Sequence, residues 1–267
     1  MAEKGCSEND TDNSSKIARR TAVVHKTATS RGTTVTAISQ AIAGWLEQGT
    51  LGHNDRLPAE RILSARFATT RITLREALGQ LESQGKIYRE ERRGWFVSPP
   101  RLNYNPLKRS HFHAMAHEQG RRPTTQVLEA SEIGTPLNIG QHLGLESNTR
   151  VYCIRRVRRI DGRAVLYVEH YLNPAYFPGI LQEDLTQSLT ELYLRRYDIR
   201  YGKVWFGMLP TTFPALAAQA LKTSENNPAL FITRINRDQH NRIIDCDFEY
   251  WRYDTLHINV EVPQTAQ

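Results

Sequence analysis

Cysteine is scarce in this 267-residue chain: Cys6, Cys153 and Cys246 are odd in number and far apart. That excludes a disulfide framework and a Cys-based metal site, and it points to a reducing cytoplasm. Long apolar runs are also missing. None approaches the roughly 20 residues that a membrane-spanning helix needs, and the first residues carry no apolar core of the signal-peptide kind. The expectation is a cytoplasmic protein with no membrane partner. Large apolar residues are few over residues 1–34, which are rich in Ser, Thr, Asn, Asp and Lys. This segment is expected to be a disordered tail. It reads first as an inert leader; the alternative is a basic arm, Lys16, Arg19, Arg20 and Lys26, that touches DNA phosphates.

Acid is scarce in one further place. From Arg56 to Arg75 five arginines stand with a single acid, Glu60. The whole chain is basic, with net charge +7, a balance that fits a nucleic-acid partner. The stretch Arg66–Gly85 sharpens the point. Leu74, Ala77, Leu78 and Leu81 fall at i, i+3, i+4 and i+7, one face of an amphipathic helix. Arg71 and Arg75 sit at its N-terminal end, where the helix dipole favours negative charge. A strongly negative partner explains that placement.

The elements around it agree. A helical stripe of Ile38, Ala41, Ile42, Trp45 and Leu46 starts near Val35 and stops at Gly49. Pro58 opens a second short helix through Phe67, and Thr70 caps the third. Ile87–Arg89 and Trp95–Val97 then read as a hairpin around the polar tip Glu90–Gly94. Three short helices and a hairpin over 35–98 describe a winged helix-turn-helix. Its third helix offers N-terminal residues to base edges in the major groove. Arg71 and Arg75 can fork onto guanine, a discrimination of about 1–3 kcal/mol per pair. Thr70 and Thr73 can donate to phosphate or touch a thymine methyl. Arg92, Arg93 and Gly94 form the wing tip, near backbone or minor groove.

A linker is expected over 99–108, marked by Pro99 and Pro100, and a second domain over 109–263. His111–Gln119 and Leu137–Leu145 read as helices. In Val151–Leu172, Asp161-Gly162 marks a two-residue hairpin turn. The register that this turn sets places Arg158 opposite Val165, Arg156 opposite Tyr167 and Ile154 opposite Glu169. One face then carries Val151, Cys153, Val157, Ala164, Leu166 and Val168. The other carries Arg156, Arg158, Tyr167 and Glu169. Ser188 and Glu191 form a capping box for a helix over Leu189–Arg196, and Pro214–Leu221 is a further helix. Leu230–Arg237 and Arg242–Trp251 make another hairpin, and Leu256–Val262 a last strand. The whole is an α+β fold with an antiparallel sheet in its second domain.

Specific motifs carry a resemblance. L-P-A-E-R at Leu57–Arg61, R-I-T-L-R at Arg71–Arg75 and R-G-W-F-V at Arg93–Val97 resemble the GntR family of bacterial transcriptional regulators. The resemblance implies operator contacts by Arg61, Arg71, Arg75 and Arg93. Arg92 stands where many members have Gly, and Trp95 where Thr is usual. The second half resembles the UTRA effector domain of the HutC subfamily, whose fold is chorismate-lyase-like. The match lies in Gly120–Pro123, the R-V-R before D-G, the E-H-Y-L strand, the S-L-T-E helix start and the closing R-Y-D. It implies an anion held by Arg156, Arg158 and Ser188, with Glu169 and Asp245 on the rest of the ligand. Tyr167 and Trp251 complete the candidate effector contacts. Arg forks and a helix N-terminus suit oxyanions on chemical grounds alone, and nearby carboxylates suit an ammonium.

Within the subfamily, T-T-R-I-T-L-R-E-A-L, R-R-G-W-F-V and D-F-E-Y-W-R-Y-D are most similar to regulators of 2-aminoethylphosphonate use. An amino-sugar phosphate would suit the same charges. The implied protein is a homodimeric regulator, most simply a repressor, with duplex DNA and a small anionic metabolite as partners and no cofactor. His113 and His117 share the i, i+4 spacing of metal ligands, but no metalloprotease Glu follows His113 and no further ligand is evident, so no metal is expected. No nucleophile–base pair marks an enzyme.

Overall fold

The computed structural model describes residues 34–108, 111–146 and 148–261. The basic arm and Cys6 lie outside the described residues. The chain divides into two compact units between Pro99 and Pro100.

The first unit opens with helix α1 (Val35–Glu47), capped by Thr34, whose Oγ1 accepts from the Ala37 amide. Helices α2 (Glu60–Arg66) and α3 (Arg71–Ser83) follow. Thr70 caps α3 as its position predicts, its Oγ1 accepting from Thr73 N at 3.2 Å. Leu74, Ala77, Leu78 and Leu81 are buried against Ile38, Ile42, Leu63 and Ile87, so the apolar stripe of α3 holds it to α1 and α2. Full burial of each large side chain stabilises by roughly 1.5–3 kcal/mol. Strands β1 (Ile87–Glu90) and β2 (Gly94–Val97) pair antiparallel, and Arg56 bridges to Phe96 beside them. The unit is a winged helix-turn-helix.

The second unit is built on a six-stranded sheet. Its strands are β4 (Pro123–Gly134), β5 (Arg150–Ile160), β6 (Arg163–Leu172), β7 (Tyr201–Thr212), β8 (Pro228–Asp238) and β9 (Ile243–Arg252), in the order β4-β5-β6-β9-β8-β7. All neighbours are antiparallel. Helices α4 (Phe112–Glu118) and α6 (Leu189–Tyr197) pack on one face. Helices α5 (Leu137–Leu143) and α7 (Ala215–Leu221) pack on the other. A short strand β3 (Leu102–Tyr104) pairs parallel with β10 (Leu256–Ile258). The expected linker over 99–108 therefore contains a strand of the second unit, and the last strand ends sooner than Val262. Leu102 and Tyr104 are buried, which ties this segment to the core.

The β5–β6 hairpin has the predicted two-residue turn, with Asp161 at φ 50° and Gly162 at φ 85°, the left-handed pair that a type I′ turn requires. Its register then departs from expectation. Ile160 pairs with Arg163 and Arg159 with Ala164, but Arg158 pairs with Leu166. Val165 is an extra residue, a β-bulge, and beyond it every partner shifts by one. Such a slip moves side chains to the opposite face. Arg156 now pairs with Val168, and Arg155 with Glu169. Arg156 and Arg158 thus share a face with Val168 and His170, while Tyr167 and Glu169 project from the other. The expected grouping of Arg156, Arg158, Tyr167 and Glu169 is incorrect for this reason.

Candidate functional site

The nucleic-acid candidates stand at the exposed end of the first unit. Arg61, Thr70, Arg71, Arg75, Arg92 and Arg93 are exposed, and Thr73 and Gly94 half-buried. Glu60 of the L-P-A-E-R motif organises them. Its Oε2 accepts from Arg75 Nε at 2.8 Å, and its Oε1 accepts from Trp95 Nε1 at 3.1 Å. Burial opposes ionisation of Glu60, yet the hydrogen bonds from Trp95 and Arg75 and the charges of Arg75 and Arg89 hold its pKa below the ordinary value. One carboxylate thus ties the third helix to the wing, which gives Trp95 a role at its unusual position. At the tip Arg93 pairs with Glu90, and its guanidinium lies 5.3 Å from the Phe96 ring centroid. Arg92 takes φ 60° there, and Gly94 takes φ 102°. A Cβ on Gly94 would come within 3.3 Å of Arg56 Nε. Glycine is therefore the residue that fits beneath the tip.

The second unit holds a small cavity, open to solvent, between the sheet, α4 and the start of α6. Arg156, Arg158 and Ser188 line it, together with His113, Arg234 and Asp247. The shift at Val165 takes Glu169 and Tyr167 away from this cavity. On the far face Glu169 accepts from the Tyr167 and Tyr171 hydroxyls and pairs with Arg155. Trp251 is core rather than lining: it is buried near Phe112, with its Nε1 donating to Glu249. Asp245 shares the cavity's face of the sheet but lies beneath it, accepting from Asn236 and from Tyr201 Oη.

Two arginines that read alike in sequence differ here. Arg156 is fully buried. Its Nε and Nη2 donate to His170 Nε2 at 3.1 and 2.8 Å, and its Nη1 donates to the Leu185 and Gln187 carbonyls at 3.1 and 3.0 Å. His170 therefore keeps its proton on Nδ1 and donates to Asp247 at 2.5 Å. Burial, against the pull of Asp247 and with the push of Arg156, holds the His170 pKa down near 3, so the ring is neutral. Arg158 has no protein acceptor among the described residues. Its Nε is buried and unpartnered, and its guanidinium lies 4.8 Å from the Phe112 ring centroid. Burial and the charge of Arg158 lower the pKa of His113 to about 4.

Ser188 caps α6 through the Glu191 amide at 3.4 Å, but the Glu191 carboxylate turns to His111 Nε2 at 2.9 Å. The capping box is one-sided. Among the described residues no cluster of His, Cys, Asp and Glu suits a metal. His113 Nε2 lies 2.9 Å from Thr125 Oγ1. Arg234, Asp247 and His170 escaped the sequence reading. The signal was the period-two run Asp245, Asp247, Glu249, which marks one face of β9 as polar, opposite Arg234 and Asn236 on β8.

Comparison with known proteins agrees with this geometry. Residues 34–97 match the model of the bacterial regulatory proteins of the gntR family, and residues 118–257 match the UTRA domain. The chain is 31% identical over 232 residues to the HTH-type transcriptional regulator YihL of Escherichia coli K12, covering 86% of this chain and 98% of that one. It is 26% identical over 226 residues to the probable transcriptional regulator PhnF of the same organism, covering 83% and 94%. The crystal structure of PhnF from Mycobacterium smegmatis shares the fold, with TM-score 0.60 at 21% identity over 85% of this chain and all of that one. The two matched models cover the winged helix and the sheet-built unit in turn: the chain belongs to the GntR family of bacterial regulatory proteins, carries a UTRA domain, and is a ligand-responsive transcriptional regulator rather than an enzyme.

Proposed function

We propose that the protein is a homodimeric repressor of a near-palindromic operator, released from DNA when a small anionic metabolite enters the cavity of the second unit. A single winged helix reads one short half-site, and two-fold pairing supplies the other. In this reading Arg71 and Arg75 contact base edges, Thr70 and Thr73 contact phosphate or a thymine methyl, Arg61 contacts the operator beside them, and the wing tip Arg92–Gly94 contacts backbone or minor groove. The observation that carries the effector assignment is Arg158: a cavity-lining guanidinium whose Nε is buried without an acceptor. A buried guanidinium N–H without an acceptor is costly, and an oxyanion ligand would remove that cost. The two tyrosines and Arg155 occupy Glu169 on the far face, which leaves Asp247 as the cavity carboxylate for an ammonium.

A phosphonate such as 2-aminoethylphosphonate fits that pairing of charges. An amino-sugar phosphate is the second reading, favoured by the several hydrogen-bonding side chains around the mouth, Thr190 and Gln187 among them. The test is operator affinity by fluorescence anisotropy with each compound, alongside sedimentation. Weakened binding of a dimer with 2-aminoethylphosphonate supports the proposal. Release by the sugar phosphate alone changes the ligand. Indifference to both, or a monomer at micromolar concentration with and without DNA, refutes the proposal.

A further inference from the structure

We infer that Ile72, in the first turn of α3, reads the methyl group of a thymine in the operator. The inference rests on reading α3 as the helix that meets base edges. It is carried by the place of one apolar side chain that the first unit leaves in water.

Ile72 is 80% exposed, the highest figure for a large apolar side chain among the described residues. A single exposed apolar residue is ordinary on a protein surface; its position is what tells here. Successive helix residues turn by about 100°, which sets Ile72 about 170° from the centre of the buried stripe Leu74, Ala77, Leu78 and Leu81. It therefore stands on the outermost line of α3 and at its N-terminal end, the part of a recognition helix that contacts base edges. Helix preference does not explain an isoleucine there, since its β-branched side chain loses rotamer freedom against the preceding turn. Contact with an apolar group on a partner would take its surface out of water.

The neighbours say which part of a duplex fits. Arg71 and Arg75 stand exposed on either side of Ile72 in the chain, and their charge suits a nucleic acid. Glu76 is exposed one turn further on, beside the same outer line. A carboxylate and an alkyl group are both poor contacts for phosphate. The major groove offers each a partner at base edges: the cytosine amino group for the carboxylate and the thymine methyl for the alkyl group. Gly79 follows Ile72 along that line, with open space where a Cβ would stand. Packing within the unit does not call for glycine there, and the missing side chain keeps the outer line low where it would enter a groove. The Thr70 and Thr73 hydroxyls lie 2.9 Å apart, and Thr70 Oγ1 also caps the Thr73 amide. Both are engaged at the helix start, which leaves Ile72 as the outward apolar group of this turn.

The test uses the full chain and duplexes that wild type selects from a randomised pool. Each thymine is replaced singly by deoxyuridine, which removes the methyl and leaves the pairing edge unchanged. At one thymine in each half-site, replacement should weaken wild-type binding about three- to five-fold, the effect of one buried methyl. Ile72→Ala should bind the selected duplex more weakly and be indifferent to replacement at that thymine. Ile72→Val should keep part of the preference. Because the side chain is exposed, Ile72→Ala should melt at or above the wild-type temperature, which separates the effect from a folding defect. Arg71→Ala should weaken binding yet keep the preference for the methyl. The inference is overturned if no replacement weakens wild type, if Ile72→Ala keeps the full preference, or if the selected half-sites share no thymine. If Arg71→Ala binds selected and random duplexes as wild type does, the reading of α3 itself falls.

Discussion

In the first unit arginines stand in solvent: the side chains of Arg75 and Arg93 are 60% and 65% exposed even while paired with Glu60 and Glu90. In the second unit Arg156 is fully buried, with donors committed to one histidine and two carbonyls. Water solvates an exposed guanidinium, so the residue is free to meet an outside partner at little cost. A buried guanidinium must be satisfied by the protein or by a ligand. Residue type alone therefore marks a contact residue in one unit and leaves scaffold and ligand contact indistinguishable in the other. Arg156 and Arg158, two residues apart on one face, show both outcomes side by side.

The largest break in that comparison comes from removing Arg156. Arg156→Ala should destabilise the second unit by about 1–3 kcal/mol for each buried acceptor left without its donor. It strands His170 Nε2 and the Leu185 and Gln187 carbonyls. Native-state hydrogen exchange at the β5 and β6 amides measures this directly. Unchanged protection would show that the buried network is dispensable.

A smaller effect separates the buried acids. Burial and the adjacent Asp247 keep Asp245 protonated up to about pH 8, whereas an ordinary aspartate ionises near 3.8. The native state holds the extra proton across that interval, so this group makes stability fall as pH rises. His170 and His113, whose pKa values burial lowers, act in the opposite sense, and their contribution is complete above about 6.5. Between pH 6.5 and 8, Asp245 is the one of these three still changing. Asn in its place can accept from Asn236 and donate to Tyr201. The melting temperature of wild type should therefore fall relative to Asp245→Asn as pH rises through that window. Parallel curves would show that Asp245 is already ionised.

The first unit was nearly all legible in the sequence. The stripe Leu74, Ala77, Leu78, Leu81, the Thr70 cap and the wing hairpin are local signals, and the structure keeps them because local preference and packing agree. The second unit was legible in its helices and central hairpins. The edge strands β4 and β7 went unread, since each has one free side and no fully buried residue, so that exposed Thr124, Gln126 and Lys203 alternate only with half-buried neighbours. The bulge at Val165 was unreadable in principle from the turn, because Asp161-Gly162 fixes the register only as far as Ala164. One extra residue then exchanged Glu169 and Tyr167 for His170 and Val168 on the cavity face. Arg234 was hidden for a different reason: its place in the cavity depends on two strands meeting across β9 and β6.

The measurement that bears most directly on the separate roles of the two arginine sets is a side-by-side titration of Arg71→Ala and Arg158→Gln against operator and random DNA, without effector. Arg71→Ala should lose preference for the operator by about 1–3 kcal/mol, while Arg158→Gln should bind both DNAs as wild type does. If Arg158→Gln loses operator affinity as Arg71→Ala does, or if Arg71→Ala weakens both DNAs equally, the division of roles drawn here is wrong.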